Sequence, residues 1–277
     1  MNILKLLTLN THSLAEENMA DKQKKFAEAV AKLQPDVIAL QEVNQSIDAK
    51  PVTAPPAHLV MTQDQVPLKE DNHALAVYNL LKEMGMDYYF AWLPVKIGYD
   101  RFDEGLAIFT RKPIIQTDAL LLSAEDNYED WRTRKALQLF TEDGRFVCVH
   151  MGWWHDEKEP FKWQWKKLQE YLGHDDRIYL MGDFNADANK RHEGYDLIIQ
   201  DGWHDLFEES DFNKQGGFTV TKAIDGWKED ENTPDAMRID FIFCNLPTKA
   251  KHFRTCFNGE DEEVISDHYG LFAETEE

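Results

Sequence analysis

Basic side chains are scarce in this sequence. Thirty lysines and arginines stand against 51 aspartates and glutamates, a formal charge of −21 over 277 residues. Such a surface repels polyanions and lacks the basic stripe that captures DNA or RNA, so no nucleic-acid partner is expected. Cysteine is nearly absent too. Cys148, Cys244 and Cys256 are too few, and odd in number, for a disulfide framework, and the first two sit in apolar runs that suit buried thiols. No run of about 18 apolar residues is present to span a bilayer, and no basic amphipathic segment to bind one. The opening MNILKLLTLNTHS has neither a basic leader nor a long apolar core. A cytoplasmic protein without a membrane partner is the expectation.

What is present favours a folded core: 43% apolar residues, 12% aromatic and eight tryptophans. ILKLLTLN reads as a buried strand, and Met19 to Gln34 as an amphipathic helix with Phe26, Val30 and Leu33 on one face and Pro35 closing it. DVIALQEV is the next strand, which makes a βαβ unit. Residues 50–72, with Pro51, Pro55, Pro56 and Pro67, read as a surface excursion. His73 to Gly85 reads as a helix, YYFAWLPV as extended, and EGLAIFTRKPI as a strand stopped by Pro113. ALQLFTEDGRFVCVHM predicts a hairpin turning at Asp143 and Gly144, and FKWQWKKLQEYLG a helix ended by Gly173. RIDFIFCN and SDHYGLFAE are late strands. With no repeat or linker, residues 1–277 read as a single α/β domain.

Polar residues recur where these strands stop. In LMGDFNAD, Asp183 and Asn185 follow an apolar approach and, two apart, point the same way. Such a pair binds a cation, holds a water or closes a turn, and taken alone the turn is the commonest of these. Asn10 ends LLTL, Glu42 ends VIALQ and His150 ends FVCV. Asp240 lies in RIDFIF, and Asp267 and His268 precede YGLF. Strand ends on one edge of a sheet are where α/β proteins build sites.

The ordered set LTLN, LQEV, EGLAIFTRKPI, VH, GDFN, RIDFIF and SDH, spread over residues 3 to 272, resembles the endonuclease/exonuclease/phosphatase superfamily. The resemblance implies a DNase I-like fold, a four-layer sandwich of two packed mixed β-sheets flanked by helices. It also implies roles. Asn10, Glu42 and Asp267 would hold Mg²⁺, or Mn²⁺ in its place, through hard oxygen ligands. Asp183 would orient or deprotonate the attacking water, with Asn185 holding that water or a phosphate oxygen. His268 would contact phosphate or take a proton, its tautomer fixed by Asp240. Glu104 would partner His150, and this pair would protonate the leaving oxygen. Arg134 stands where related enzymes often place a phosphate-contacting arginine.

Substrate class needs more than a catalytic set. The candidates for anion contact, Arg101 and then Arg132, Arg134 and Lys135 in WRTRKAL, are scattered, and one or two such residues suit one terminal phosphate rather than a duplex. Aromatic residues crowd the predicted strand ends: Trp92 and Tyr99 ahead of Glu104, Trp131 ahead of Arg134, and Trp153 and Trp154 after His150. Flat rings beside polar groups hold sugars. Core packing is the competing reading for any aromatic, and for Trp153 and Trp154 the two stand level. With GYDRFDEGLAIFTRKPI and HMGWWHDEK, the sequence resembles the superfamily's bacterial sugar-phosphatase branch. That implies a small phosphorylated sugar as substrate, maltose 6′-phosphate foremost, hydrolysed by direct attack of water on phosphorus. An endo- or exonuclease, or another phosphodiesterase, is the alternative.

Overall fold

Alternation in the first strand sorts the molecule into layers. In β1 (Ile3–Asn10), Leu4 and Leu6 face one way, Leu7 and Leu9 the other, and all four are buried. A strand buried on both faces lies between two apolar layers. The computed structural model, which describes residues 3–63, 66–173, 176–210, 217–221, 224, 227 and 233–276, shows what those layers are.

One six-stranded sheet has the order β11 (Ala250–Cys256), β12 (Gly270–Glu276), β1, β2 (Val37–Ser46), β4 (Phe102–Thr110), β3 (Tyr89–Gly98). The other has the order β5 (Gln116–Leu121), β6 (Lys135–Thr141), β7 (Gly144–His150), β8 (Ile178–Asp183), β10 (Asp240–Cys244), β9 (His204–Asp205). Both sheets are mixed, β1–β2 and β7–β8 being the parallel pairs. Leu6, Ala39 and Ile108 of the first sheet meet Leu137, Phe146 and Met181 of the second in an apolar layer between them. Helices α1 (Met19–Leu33) and α2 (His73–Glu83) cover the far face of the first sheet with Phe26, Val30 and Leu81. Helix α3 (Phe161–Leu172) with α4 (Gly194–Gln200) covers the second through Trp165, Leu168 and Ile198. This is the four-layer sandwich expected from the sequence.

Some elements differ from expectation. The hairpin pairs Thr141 with Gly144, so Glu142 and Asp143 form the turn and Gly144, at φ 133°, opens β7 instead of closing the loop. The partly exposed edge strand β5 and the seven-residue α4 were not anticipated, one having no clean alternation and the other too few turns to show a period. The proline-rich excursion is tied down by bridges from Pro51 to Lys69 and Leu59 to Phe90.

His73 opens α2 behind the N-cap Asn72, whose side chain accepts from Leu75 N at 3.1 Å. Burial pushes its imidazole down to about 4. The native state therefore binds fewer protons than the unfolded chain between pH 4 and the ordinary histidine value of 6.5. Stability from this group is full above that window and is lost as pH falls through it, by roughly 3 kcal/mol. Urea titrations of His73→Gln should show a shallower acid-side decline than wild type. An identical decline would remove His73 from the account.

Candidate active site

The first sheet presents a glutamate by breaking its own register. β2 and β4 pair Leu40 with Ala107 and next Val43 with Gly105, so Gln41 and Glu42 together face one residue of β4. Ile38, Leu40 and Val43 belong to the helical layer, and regular pairing would have sent Glu42 there as well. The bulge, with Glu42 at φ 51°, turns its carboxylate to the end of the sandwich instead. Thr11 holds the bulge, its backbone N–H donating to Gln41 O at 3.0 Å and its hydroxyl reaching the carbonyls of Gln41 and Glu42 at 2.9 and 3.1 Å.

The second sheet supplies a row. β8 sets Asp183 level with His150 of β7 on one side and Asp240 of β10 on the other. Gly182 allows the approach, since a Cβ there would stand 2.1 Å from the carbonyl oxygen of Val149. His268, on the segment entering β12, completes the group. Its Nδ1 lies 2.9 Å from Asp240 Oδ2, and its Nε2 lies 3.8 Å from Asp183 Oδ2. His150 Nε2 approaches the same Asp183 oxygen at 3.6 Å. Asn10 Nδ2 links the sheets, donating to Glu42 Oε1 and Asp183 Oδ2 at 3.0 Å each.

Burial sets these groups in contrasting states. Burial and the Asp240 carboxylate push Asp183 up to about 7. His268 has its charge disfavoured by burial, yet Asp240, Asp183 and Asp267 together hold it up to about 10, so it is an imidazolium at neutral pH. Burial, then Arg134, Lys96 and His268, drive His150 well below the ordinary value, so it is neutral. Burial and neighbouring Glu104 push Glu42 up to about 7.

These side chains open on a cavity of about 590 Å³. Of the residues expected from the sequence, Glu42, Glu104, Arg134, His150, Trp153, Asp183, Asn185, Asp267 and His268 line it. Asn10 and Asp240 stand one layer back and reach it through their partners. Asn185 is fixed in place, its Nδ2 donating to Met151 O at 3.0 Å and its Oδ1 accepting from Trp227 Nε1 at 3.1 Å. Arg134 is buried, donates to the carbonyls of Trp131 and Thr133, and keeps an Nε with no partner among the described residues.

Other expectations are corrected. Arg101 does not line the cavity: it is exposed on the turn between β3 and β4, its guanidinium 4.7 Å over the Phe102 ring. Trp154 packs on Phe161 of α3, leaving Trp153 alone of that pair on the wall. Trp92 is core, its indole donating to Val43 O at 3.0 Å. The described residues of 50–72 take no part in the lining. The His150–Glu104 pair is not formed either. Glu104 is taken by Lys96, Nζ to Oε1 at 3.2 Å, and no hydrogen bond joins Glu104 to His150 among the described residues.

Lys96 was not foreseen, nor was His12, whose ring nitrogens lie 2.7 Å from Glu16 Oε1 and 3.1 Å from Tyr99 Oη. One signal for Lys96 was on view. A proline inside a strand marks an edge or a bulge, and Pro94 precedes a lysine in an otherwise apolar run.

The donor set suits a hard divalent cation. Glu42 Oε2 is shielded from solvent without a hydrogen-bond partner among the described residues, an orphan carboxylate oxygen of the kind a cation satisfies. Asp267 lies at the rim, its Oδ1 3.8 Å from His12 Nδ1, and Asn10 adds a carboxamide. All three offer oxygen, and no thiolate is among them.

A protein-family model, described as the Endonuclease/Exonuclease/phosphatase family, matches residues 7–268. No curated protein matches the sequence. Among solved structures, an endonuclease/exonuclease/phosphatase family protein from Leptotrichia buccalis is 29% identical, covers 99% of this chain and 100% of its own, and superposes with a TM-score of 0.84. A mannosyl-6-phosphatase from Bacteroides thetaiotaomicron, at 19% identity, covers 99% and 100% with a TM-score of 0.64. TDP2 from D. rerio, complexed with a single-strand DNA product, is 18% identical, covers 100% of both chains and has a TM-score of 0.62. Sandwich, ordered motifs and match over nearly the whole sequence agree that this chain belongs to the endonuclease/exonuclease/phosphatase family, whose members are hydrolytic phosphoesterases, typically dependent on a divalent metal.

Proposed function

We propose that the protein is a Mg²⁺-dependent phosphomonoesterase acting on a small sugar phosphate, with Mn²⁺ as a substitute ion and residues 1–277 as its single domain. The observation that carries this reading is the make-up of the cavity wall. Three buried cationic groups, Lys96, Arg134 and His268, stand among the carboxylates of Glu42, Glu104, Asp183 and Asp267, and Trp131, Trp153 and Tyr99 stand beside them. The volume suits one small ligand. The charges suit one terminal phosphate, and the rings suit a sugar.

Bound by Asn10, Glu42 and Asp267, a divalent cation would polarise a nonbridging phosphate oxygen and offset its charge. Asp183, held near neutrality, is suited to take a proton from the attacking water. Asn185 has a second amide hydrogen with which to hold that water or a phosphate oxygen. The His268 imidazolium and the Arg134 guanidinium would bind phosphate oxygens. A covalent thiol route has no support, because Cys148, Cys244 and Cys256 are all buried and none is among the residues lining the cavity.

The mannosyl-6-phosphatase resemblance supports a 6-phosphorylated sugar, and maltose 6′-phosphate is our best candidate. The likeness to a DNA-bound TDP2 supports a second reading, a nuclease or other phosphodiesterase, against which the −21 charge weighs. No described helix is long and apolar enough to cross a membrane; we propose a cytoplasmic enzyme with no membrane or nucleic-acid partner.

The deciding assay is phosphate release, with and without EDTA, from maltose 6′-phosphate, mannose 6-phosphate and other sugar phosphates, run beside single-stranded and duplex DNA. Cation-dependent release from a sugar ester supports the proposal; DNA cleavage with inert sugar esters replaces it by the second reading. Trp131→Ala and Trp153→Ala should each raise KM by roughly fivefold to tenfold if the rings stack on substrate. Trp154→Ala should lower Tm and leave KM alone.

A further inference from the structure

Lys96 reaches the site through an irregularity of the sheet. β3 and β4 pair Pro94 with Gly105 and next Lys96 with Glu104, leaving Val95 as an extra residue. Ala91, Leu93 and Val95 face the layer between the sheets. Regular pairing would therefore set Val95 against Glu104 and send Lys96 to the helical layer. The bulge puts the ammonium on the cavity wall instead.

There Lys96 is only 7% exposed. It donates to the Trp131 carbonyl at 3.0 Å and pairs with Glu104 Oε1 at 3.2 Å. An ammonium has three N–H donors. The third has no partner among the described residues and is left for a ligand in the cavity. Gly98 keeps room for the pair, since a Cβ there would stand 2.3 Å from Glu104 Oε2. Burial, with Arg134 adding to it, lowers the lysine's pKa despite Glu104, which makes it a readier acid than a lysine in water.

We infer that Lys96 is a catalytic residue whose ammonium protonates the leaving sugar oxygen, in the role expected of His150 with Glu104. The inference rests on the phosphomonoesterase reading above. In-line displacement puts the leaving oxygen across phosphorus from the attacking water. Asp183 stands in its row on the second sheet, and Lys96 and Glu104 stand on the first. The water oxygen forms its bond to phosphorus as one of its protons passes to Asp183. The bond from phosphorus to the sugar oxygen breaks, that oxygen keeps the electron pair, and it takes a proton from Lys96. Ester and water become alcohol and phosphate, and Asp183 and Lys96 are restored by releasing and taking up one proton with solvent.

The test compares Lys96→Arg with wild type on mannose 6-phosphate, maltose 6′-phosphate and p-nitrophenyl phosphate. Arginine keeps the charge and a partner for Glu104 but does not give up its proton. We expect kcat on the sugar esters to fall by about 10²–10⁴-fold with KM nearly unchanged. The loss on p-nitrophenyl phosphate should be at least about tenfold smaller, because nitrophenolate departs without a proton. Equal losses on both classes, or a raised KM with kcat kept, would overturn the inference and make Lys96 a phosphate anchor. Should wild type accept only sugar esters, the kcat-against-KM split decides. If Lys96→Arg fails to fold, Lys96→Met combined with Glu104→Gln, which leaves no unpaired buried charge, carries the same comparison. Wild type inactive on every phosphomonoester would instead sink the phosphomonoesterase reading.

Discussion

Asp183→Asn should lose about 10²–10⁴-fold in kcat on the preferred phosphomonoester while its Tm stays close to wild type. The substitution keeps the shape of a side chain that is 2% exposed and removes its capacity to take a proton. Asn185 N–H still finds an oxygen at the Oδ1 position, 2.8 Å away in the native protein. Asn10 loses an acceptor at Asp183 Oδ2 but retains Glu42 Oε1. Unfolding curves measured beside the rates separate chemistry from folding. Wild-type turnover in the variant would mean that another group activates the water, and the base assignment would be withdrawn.

Glu42→Gln should show the second large effect, and on a different axis. Without cation, the native carboxylate is crowded by burial, Glu104 and Asp267, so the variant should melt no lower than wild type. With cation the order reverses. Wild type at a Mg²⁺ concentration about 100 times Kd gains roughly 2.7 kcal/mol, and the variant should need on the order of 100-fold more Mg²⁺ for the same gain, since even outer partners of a metal are worth roughly 10–100-fold. Differential scanning fluorimetry across a Mg²⁺ series reads both halves. Equal Mg²⁺ responses in the two proteins would remove Glu42 from the ligand set.

The parts of the site that could be read in the sequence are those fixed by strand ends. Asn10, His150, Asp183 and Asp240 follow or open apolar runs, and the register of β7, β8 and β10 brings the last three level. A period of two is a local property, so these positions show in the chain itself. What failed to show depends on how strands are offset against their neighbours. The partner of Glu104 did not show because Lys96 faces it only through the extra Val95. Arg101 immediately precedes Phe102 at the end of a tight turn, and that turn aims it outward across the ring. Trp153 and Trp154 are adjacent and chemically alike, so only the packing of α3 could separate them. Strand β5 and helix α4 lacked the length or the alternation to register.

The two offsets that present Glu42 and Lys96 are taken against one strand, β4, from opposite sides. That strand works as a ruler from which Glu42 and Lys96 are each displaced by a single residue. A designer moving this chemistry to another sandwich must therefore transplant two insertions along with two side chains. Identical residues on perfectly regular strands would end up facing the helices. By the same logic, removing one residue within 40–43 or 94–96 should silence the enzyme more surely than most point substitutions, whereas the excursion at 50–72, whose described residues do not line the cavity, is where natural variation in length should collect.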